Sequence, residues 1–585
     1  MSHDSTVTFN TPRMKVTDYV AHFLAERGVT AVFELSGGMI THLLDSLARH
    51  GKTRIVSTHH EQAAGFAADG YGRITGIPGV ALATSGPGAT NLLTAIGSCY
   101  FDSTPAVFIT GQVNRHEQKG QREIRQLGFQ ETDIVSMAGP VTKQARQILQ
   151  AEELPAALAA AFQPATSGRP GPVLLDLPMD IQRAEIAVPQ TTVPNSLPRP
   201  KIPGSQEFSE LLRTALAAAS RPLVLVGGGV RAARCQELLE RPVTQLGVPV
   251  VHSLMAVDVL PHGHALRVGM IGTYGNRWAN LALQQADVVL VIGSRLDVRQ
   301  TGSDTAAFSR GKTIFHVDCE RGEMNNRVSG CVTLKACLPD FLTQSPESLV
   351  AVPCDAWLRQ IGELREQWPD DAEHSNVSGI HPNRLMHQLS EVAQGASAFV
   401  VDVGQHQMWA AQSLRLRTGQ RFLTSGGLGA MGFALPAAIG VVHGLPDHPC
   451  VVIAGDGGFQ VNIQELETIR RNSWPIRMLV VNNNCHGMVR QFQESYFERR
   501  YQSTLVGYSA PGFSRIAEAY GIPGQRCSSP EELSACLRWL MDQPPGPRLL
   551  EVVIDTFLNA YPKVAFGCPL SEMEPLSSPV DMEST

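Results

Sequence analysis

Short, continuous runs of Val, Ile and Leu recur along the whole chain, and many of them end in Gly or Asp. Ala-rich stretches of helical character separate these runs. Uninterrupted apolar runs are typical of strands buried on both faces of a parallel sheet. The alternation therefore predicts an α/β fold with doubly wound parallel sheets, in which ligands bind beyond the carboxyl ends of the strands. The clearest runs are residues 80–84, 106–110, 172–178, 222–229, 287–295, 398–404, 450–458 and 477–484.

Two interruptions divide the chain. Residues 188–204 are rich in proline, which disfavours both helix and central strand, and residues 345–382 form a second, polar break. The three α/β segments that remain are each long enough to bury a separate core. The predicted boundaries are three domains at residues 1–187, 205–344 and 380–565, and a C-terminal tail at residues 566–585.

The bulk composition disfavours several kinds of partner. A formal net charge of −6 provides no basic field for nucleic acid or an anionic lipid surface. No apolar run approaches the roughly 18 residues of a membrane span, and the first residues are polar, without a signal-peptide core. The 11 cysteines are scattered, without a CxxC pair or zinc-like spacing. We expect a cytoplasmic protein that binds neither nucleic acid nor membrane.

The most specific chemistry lies near the end of the chain. An apolar run at residues 450–454 leads into Asp456, Gly457 and Gly458. A predicted helix at about residues 462–472 follows, and then a second run leads into Asn483. In a right-handed βαβ unit both strand ends open on one sheet edge, so the carboxylate and the amide oxygen can meet there.

Hard oxygen ligands of this kind suit Mg²⁺ that also binds phosphate. The two glycines would let the backbone approach that phosphate closely. The alternative is a tight turn in which Asp456 only caps a helix.

This Gly-Asp-Gly string followed by paired asparagines resembles the cofactor motif of thiamine diphosphate (ThDP) enzymes. The resemblance implies that Asp456, Asn483 and the main-chain carbonyl of Cys485 bind Mg²⁺. It also implies that Glu61, which follows a short strand and opens an Ala-rich helix, contacts the aminopyrimidine ring and activates the thiazolium. Without that context, a glutamate at a helix start is only a favourable partner of the helix dipole.

Longer strings resemble the acetolactate synthase family in particular. Residues 424–440 contain a GxGxxG pattern that alone would suggest a dinucleotide site, but the whole string is similar to a ThDP-binding part of that family. There the Gly429 carbonyl would accept the amino group of the cofactor, and Met431 would wedge between its two rings. The resemblance also assigns a catalytic position to Gln112. Further cofactor contacts implied in this way are Gly86, Gln405, His406, Gly457, Gly458 and Met488.

The middle segment resembles the flavin-binding domain of the same family. The similar strings are residues 226–230, 269–302 and 316–318. The resemblance places Arg295 near the flavin diphosphate or ribityl chain and Asp318 near the adenosine. It adds Tyr274, and Arg169 on the other side of the cofactor. FAD is therefore a predicted cofactor beside ThDP and Mg²⁺, and the alternative is a domain that binds only ADP or no nucleotide.

The acceptor side of the site is less determined. By the resemblance Lys143 is a candidate catalytic residue, but each acceptor-side position is equally consistent with packing. The positions are Phe129, Gln130, Lys143, Met488, Val489 and Phe492.

Several strings depart from the family pattern. Residues 34–39 read Glu-Leu-Ser-Gly-Gly-Met where the family typically has Gly-Tyr-Pro-Gly-Gly-Ala, and His42 follows where Leu or a Pro-rich stretch is usual. Phe492 stands in place of a tryptophan, and residues 114–127 carry several charges. These departures indicate an acceptor other than a second pyruvate. The closest comparison is the flavin-containing, yersiniose-type carboligase of branched-sugar pathways.

Three reactions remain open. The first is pyruvate decarboxylation with ligation of the two-carbon acetyl unit to a carbonyl acceptor, as in acetolactate synthase. The second transfers that unit to a ketone such as a nucleotide-linked 4-keto-deoxysugar, and the third is a flavin-dependent pyruvate oxidase. The resemblance makes the three domains pyrimidine-binding, flavin-binding and diphosphate-binding in chain order. Because different subunits supply the two ends of the ThDP site in this family, it also implies a homodimer or homotetramer.

Overall fold

The computed structural model describes residues 13–188, 202–344, 351–374, 377–446, 448–542 and 545–580. The chain divides into two compact units, Met1–Pro198 and Arg199–Thr585. Within the described residues there are three six-stranded parallel sheets flanked by helices, and two antiparallel strand pairs. The predicted α/β class with parallel sheets is confirmed. No helix among these residues is long and apolar enough to cross a membrane.

The first unit contains one of the three sheets. Its strands are β1 (Arg13–Lys15), β2 (Ala31–Leu35), β3 (Arg54–Ser57), β4 (Gly79–Ala83), β5 (Ala106–Gln112), β6 (Gln144–Gln147), β7 (Pro172–Pro178) and β8 (Glu185–Ala187). Its helices are α1 (Val16–Glu26), α2 (Thr41–His50), α3 (Glu61–Thr75), α4 (Pro87–Asn91), α5 (Leu93–Asp102), α6 (Ile134–Ala138), α7 (Leu154–Thr166) and α8 (Met179–Arg183). The sheet order is β3-β2-β4-β5-β7-β6, and β1 pairs with β8. Apolar residues of both sheet faces are buried beneath the helices, as the continuous runs predict.

The second unit begins with the middle sheet. Its strands are β9 (Pro222–Val226), β10 (Val250–His252), β11 (Arg267–Met270), β12 (Val288–Ile292), β13 (Thr313–Asp318) and β14 (Val332–Lys335). Its helices are α9 (Ser205–Ala218), α10 (Gly229–Ala232), α11 (Gln236–Leu246), α12 (Arg277–Gln285), α13 (Val298–Thr301), α14 (Thr305–Ser309), α15 (Leu338–Gln344) and α16 (Asp355–Gln367). The sheet order is β11-β10-β9-β12-β13-β14.

The third sheet belongs to the same compact unit. Its strands are β15 (Ala398–Val401), β16 (Arg421–Leu423), β17 (Cys450–Gly455), β18 (Ile476–Asn482), β19 (Gly524–Cys527) and β20 (Arg548–Val553), in the order β16-β15-β17-β18-β20-β19. Its helices are α17 (Pro382–Val392), α18 (Gln405–Ser413), α19 (Ala434–Gly444), α20 (Asp456–Val461), α21 (Glu465–Asn472), α22 (Gly487–Tyr496), α23 (Phe513–Ala519) and α24 (Pro530–Met541). Strands β21 (Lys563–Val564) and β22 (Met573–Glu574) follow.

A buried carboxylate joins the second and third sheets. Asp258 accepts from the Nε atoms of Arg231, at 3.0 Å, and Arg421, at 2.9 Å, and also from the Phe422 amide. The ion pairs hold the pKa of Asp258 below its usual value against the opposing effect of burial. The predicted boundaries at residues 205, 344 and 380 therefore divide segments that pack together, and they stay a prediction.

The two predicted interruptions differ in how far the structure describes them. Residues 189–201 of the Pro-rich stretch lie outside the described residues. The middle of the polar break at residues 345–382 forms the helix α16. Trp357 of α16 is buried and donates its indole N–H to the Pro222 carbonyl at 3.1 Å. A charged outer face made this amphipathic helix look like a linker.

The predicted tail folds back against the middle sheet. Strand β22 pairs antiparallel with β21, and Met573 is fully buried. Arg277 donates to the carbonyls of Met573 and Glu574. Residues 566–580 are therefore packed within the second unit, and residues 581–585 lie outside the described part of the chain.

Candidate functional site

Glu61 lies at the carboxyl edge of the first sheet, where it begins α3. His60 precedes it in extended conformation, and its ring accepts the Gln62 amide hydrogen, which fixes the start of the helix. The Glu61 side chain is buried, and its Oε2 accepts from the Asn91 amide at 2.9 Å. The carboxylate is therefore held just beyond a strand end, beside a polar side chain from the end of α4.

The loop after β4 covers Glu61 and requires glycine. A Cβ atom on Gly88 would lie 3.1 Å from Oε1 of Glu61 and 2.8 Å from the Thr84 side chain. Gly86 has φ of +65°, and a Cβ there would come within 2.9 Å of Gln130. Gly86 and Glu61, which are both predicted to contact ThDP, thus lie on adjoining segments at the carboxyl edge of the first sheet.

The unusual loop at residues 34–39 is at the same edge. The Met39 amide donates to Thr84 Oγ1 at 3.3 Å, and Gln182 donates to the Met39 carbonyl at 2.7 Å. Glu34 itself is buried at the end of β2 and accepts from the Ser57 hydroxyl. The loop that departs from the family pattern is therefore packed against the loops that carry Glu61 and Gly86.

Gln112 ends β5 and is held by a buried carboxylate. Its Nε2 donates to Asp176 at 3.1 Å and to the Thr132 carbonyl at 2.7 Å. Thr110 and Gln147 also donate to Asp176. Burial nevertheless raises the pKa of Asp176 to about 6.

Three other predicted residues of the first unit have contacts that differ from their predicted roles or are exposed. The Lys143 ammonium donates to the carbonyls of Pro164, Ser167 and Arg169, at 2.5, 2.8 and 2.6 Å. It therefore caps the end of α7. The Arg169 guanidinium donates to Ser103, and Phe129 is 80% exposed. The catalytic, flavin and acceptor roles of these three residues stay predictions.

At the third sheet, Asp456 and Asn483 follow neighbouring strands. Gly455 of β17 pairs with Val481 of β18, so the two polar residues leave the sheet at the same edge. The Cys485 amide donates to Asn483 Oδ1 at 3.3 Å and is also hydrogen-bonded to Asp456. The predicted convergence of these residues is present in the fold.

The predicted helix at residues 462–472 is wrong at its start. The structure has two helices, and α20 begins at Asp456 itself, since the glycines after β17 turn directly into helix. The capping position before α20 is occupied by Gly455, and Asp456 is the first residue of the helix rather than its cap. Its Oδ2 is buried and accepts no hydrogen bond from the described residues. Burial raises the pKa of Asp456 to about 6.

This donor set fits a hard divalent cation bound to a diphosphate. No group of three His, Cys, Asp or Glu side chains in the described residues forms a metal site. One carboxylate, one amide oxygen and a main-chain carbonyl of Cys485 are instead available, and phosphate oxygens and water would complete the shell. The buried Cys485 thiol has a raised pKa, so it is not expected to be a thiolate ligand.

Gln405 orients the Asn483 amide. Its Oε1 accepts from Asn483 Nδ2 at 3.1 Å, while its Nε2 donates to the Leu558 carbonyl at 2.9 Å. Neighbouring His406 is buried, and burial lowers its pKa to about 3, so the imidazole is neutral. Its Nε2 has no hydrogen-bond partner among the described residues, and so one polar atom remains for a ligand.

Met431 lies over the Gly457 backbone. Its Cε is 3.4 Å from where a Cβ on Gly457 would stand, and 37% of the residue is exposed. Gly429 before it has φ of +70°, which a glycine adopts without strain. The exposed thioether next to the Gly-Asp-Gly loop is consistent with the predicted wedge.

Helix α22 presents its outer face to solvent and is fastened on its inner face. Arg490 is fully buried and donates to the Leu558 carbonyl, and Gln491 exchanges two hydrogen bonds with Ala560. Val489 and Phe492 are 53% and 41% exposed. Met488 is half-buried between these faces.

In the middle sheet, Arg295 and Asp318 lie at the carboxyl ends of neighbouring strands β12 and β13. Arg295 Nη2 is 3.3 Å from Asp297, and Asp318 accepts from the Glu320 amide. Tyr274 is half-buried, and burial raises the pKa of its hydroxyl. These positions border the crevice where nucleotides bind in such sheets.

Sequence reasoning missed three polar side chains that organise these edges. They are Asn91, Asp176 and Asp402. Asp402 ends the run at residues 398–404 in the same way that Asp456 ends its own. For Asp402 the available signal was a polar residue directly after a buried apolar strand, whereas Asn91 ends α4 and Asp176 lies within β7.

Comparison with known proteins gives consistent matches along the chain. Family profiles of thiamine pyrophosphate enzymes match residues 14–137 (N-terminal TPP binding domain), 210–344 (central domain) and 402–552 (C-terminal TPP binding domain). Acetolactate synthase 2, chloroplastic, of Nicotiana tabacum is 36% identical over 570 residues, which cover 94% of this chain and 84% of that protein.

Two bacterial proteins are similarly close. The acetolactate synthase isozyme 2 large subunit of Escherichia coli (strain K12) is 36% identical, over 96% of this chain and 99% of its own. The acetolactate synthase large subunit of Lactococcus lactis is 34% identical, over 95% of each chain.

Proposed function

Because this chain belongs to the acetolactate synthase family of thiamine pyrophosphate enzymes, we propose that it decarboxylates pyruvate and ligates the resulting acetyl unit to a carbonyl acceptor. When bound, ThDP supplies a nucleophilic carbon and an electron sink for the charge left when CO₂ departs. The residues of this chain would hold the cofactor, move its proton and shape the space for the acceptor.

The observation that carries the proposal is the buried Glu61 at the carboxyl edge of the first sheet. Asn91 donates a hydrogen bond to Oε2. The other oxygen, Oε1, faces Gly88, where any side chain would cover it. A carboxylate that is buried and hydrogen-bonded on one oxygen is suited to sharing a proton with the aminopyrimidine ring. Gln112, fixed by Asp176, is the second catalytic residue that we assign to this edge.

The diphosphate and its metal are assigned to the third sheet. We assign Mg²⁺ to Asp456, Asn483 and the Cys485 carbonyl, because Oδ2 of Asp456 is buried without a hydrogen bond from the described residues. Gln405, His406 and the Gly457–Gly458 backbone would bind phosphate oxygens. We assign the wedge between the cofactor rings to Met431, with Gly429 supplying a main-chain carbonyl and Met488 a flanking contact.

FAD is proposed as a further, non-redox cofactor of the middle sheet. Arg295 and Asp318 occupy strand ends where a dinucleotide would lie, and Tyr274 and Arg169 are retained as candidate contacts. A homodimer or homotetramer is proposed because the family assembles ThDP sites from two subunits. A yellow protein with a flavin spectrum, and an assembly mass of two or four chains, would support these assignments.

We propose two candidate classes of acceptor substrate. A second 2-keto acid is the acceptor in acetolactate synthases, and this is the first candidate. The second candidate is a ketone such as a nucleotide-linked 4-keto-deoxysugar. The loop at residues 34–39 favours it, because this loop departs from the family pattern and carries the buried carboxylate of Glu34 at the sheet edge of Glu61. Phe492, which is smaller than tryptophan and 41% exposed, leaves more room on α22.

Incubation with pyruvate, ThDP and Mg²⁺, with and without a panel of acceptors, tests the proposal. Acetolactate from pyruvate alone supports the first acceptor, and ligation only after addition of a cyclic ketone or 4-keto-sugar supports the second. Formation of acetate and peroxide would indicate oxidase activity and would contradict the proposed carboligation. Glu61→Gln is the matched control, since its isosteric amide cannot share the proton. Full turnover by that variant would overturn the assignment of Glu61.

A further inference from the structure

Asp402 connects two loops that the proposed function treats separately. It lies just beyond β15, and only 1% of the residue is exposed. Its Oδ1 accepts from the amides of Val403, at 2.9 Å, and Gly432, at 3.0 Å. Its Oδ2 accepts from the Ala434 amide at 2.8 Å. One carboxylate thus holds the backbone of the segment that directly follows Met431 and ties it to the end of β15.

The same carboxylate also touches the glycine-rich loop after β17. A Cβ atom on Gly458 would lie 2.5 Å from Asp402 Oδ1, so only glycine permits this approach. The turn is held from its other side by Asn462, which donates to the Gly432 carbonyl at 2.8 Å. The backbone around Met431 is therefore fixed relative to Gly457 and Gly458.

We propose that Asp402 is a positioning residue that sets the place of Met431 above the Gly457–Gly458 backbone and so the ring geometry of bound ThDP. The inference rests on the proposed function, because that function gives Met431 its role. Three amide donors on one buried carboxylate form charge-assisted bonds, which are stronger than bonds between neutral groups. Asparagine has nearly the same shape but offers one acceptor oxygen, so its NH₂ group must face at least one of these amides.

The first test uses the full-length protein without cofactor. Hydrogen–deuterium exchange is compared between the unmodified protein, Asp402→Asn and a control, Glu465→Gln. Glu465 is also a fully buried carboxylate, and it accepts from the Thr468 hydroxyl in α21. We expect exchange at the Gly432 and Ala434 amides to become at least about tenfold faster only in Asp402→Asn, because these amides lose their charged acceptor.

A second variant approaches the same carboxylate from the opposite side. Gly458→Ala pushes a methyl group against Oδ1 and leaves Asp402 itself unchanged. Faster exchange at Gly432 is expected here too, which keeps the proposal testable when Asp402→Asn does not fold. Unchanged exchange at Gly432 in both variants, or in Gly458→Ala alone if the other variant is unfolded, overturns the proposal.

The second readout is cofactor affinity, measured by the quenching of tryptophan fluorescence on ThDP and Mg²⁺ addition. Loss of a group that orients ligand contacts typically weakens binding by about 10- to 100-fold, and this is expected for Asp402→Asn. The KM for pyruvate should change less than kcat. Faster exchange of the Gly432 and Ala434 amides, with unchanged ThDP affinity and unchanged kcat, would overturn the positioning role. Failure of the unmodified protein to bind ThDP would instead overturn the proposed function. The exchange result would remain valid, because it is measured without cofactor.

Discussion

The buried ion pair between Lys563 and Glu574 should determine whether the end of the chain stays packed. The ammonium lies 2.8 Å from Glu574 Oε1, and the two side chains are only 10% and 7% exposed. Lys563 also lies 5.4 Å from the centre of the Tyr496 ring. Replacing Glu574 by glutamine keeps the shape and leaves a buried ammonium without its counter-ion.

Removal of one partner from a buried pair destabilises the surrounding structure by about 3–5 kcal/mol. The whole chain need not unfold, because β21 and β22 can open locally while the sheets remain intact. A change of at least 3 kcal/mol in the opening free energy corresponds to about a hundredfold or more in the opening equilibrium. Replacing both partners by apolar residues, as Lys563→Met with Glu574→Leu, should be close to neutral, since no charge is then buried.

Native-state hydrogen exchange measures this opening directly. The Val564 amide, which donates to the Thr273 carbonyl at 2.7 Å, is the reporter. We expect exchange at Val564 to accelerate at least about a hundredfold in Glu574→Gln and much less in the double variant. Equal exchange in Glu574→Gln and the unmodified protein would refute the reasoning. So would a double variant that opens as readily as the single one.

Four further outcomes are expected. Lys143→Met should lower the free energy of unfolding by about 1–2 kcal/mol, because a charged cap of α7 is lost. We expect kcat to stay within about twofold, and a drop of about a hundredfold in kcat would support the predicted catalytic role instead. Burial raises the pKa of Asp176 to about 6, so its stabilising contribution is complete below about pH 4 and is lost as the pH rises through 6. The free energy of unfolding, measured by denaturant titration at pH values between 4 and 8, should therefore fall by up to about 3 kcal/mol more in the unmodified protein than in Asp176→Asn. Gly86→Ala places a side chain at φ +65°, which costs about 1–2 kcal/mol in melting experiments and weakens ThDP binding. Asp456→Asn should raise the Mg²⁺ concentration for half-maximal activity after chelation at least about tenfold; an unchanged Mg²⁺ requirement would remove Asp456 from the metal site.

The sheets were predictable because buried parallel strands leave a direct mark on composition. Each of the clearest continuous apolar runs overlaps a strand, and the polar residues that follow these strands lie at the carboxyl edges of the sheets. Asp456 and Asn483 were predictable for the same reason, since strand order alone brings them together.

Other features were not predictable because they depend on packing between distant segments. The helix α16 has few buried residues, so its periodicity is masked by charge. Lys143 was placed by resemblance near an acceptor, yet its ammonium is taken by three carbonyls at the end of α7, a contact that only the folded chain creates. The role of Asp402 depends on amides 30 and 32 positions away along the chain.

The strand orders contain a further regularity. In the first sheet, β3-β2-β4-β5-β7-β6, and in the third, β16-β15-β17-β18-β20-β19, the chain visits equivalent positions in the same sequence. The middle sheet follows a different path. Two separate parts of one polypeptide therefore share a topology, as the descendants of a duplicated ancestral domain would.

The equivalence extends to the strand ends. Beyond the second strand visited, the first sheet carries Glu61 and the third carries the turn of Met431. Beyond the third strand, one copy has a glycine-containing segment without charged residues and the other has Asp456. Divergence at matching loops has thus placed a buried carboxylate, Glu61, at one copy and the pair of Asp456 and Asn483 at the other, while the scaffold beneath them was kept.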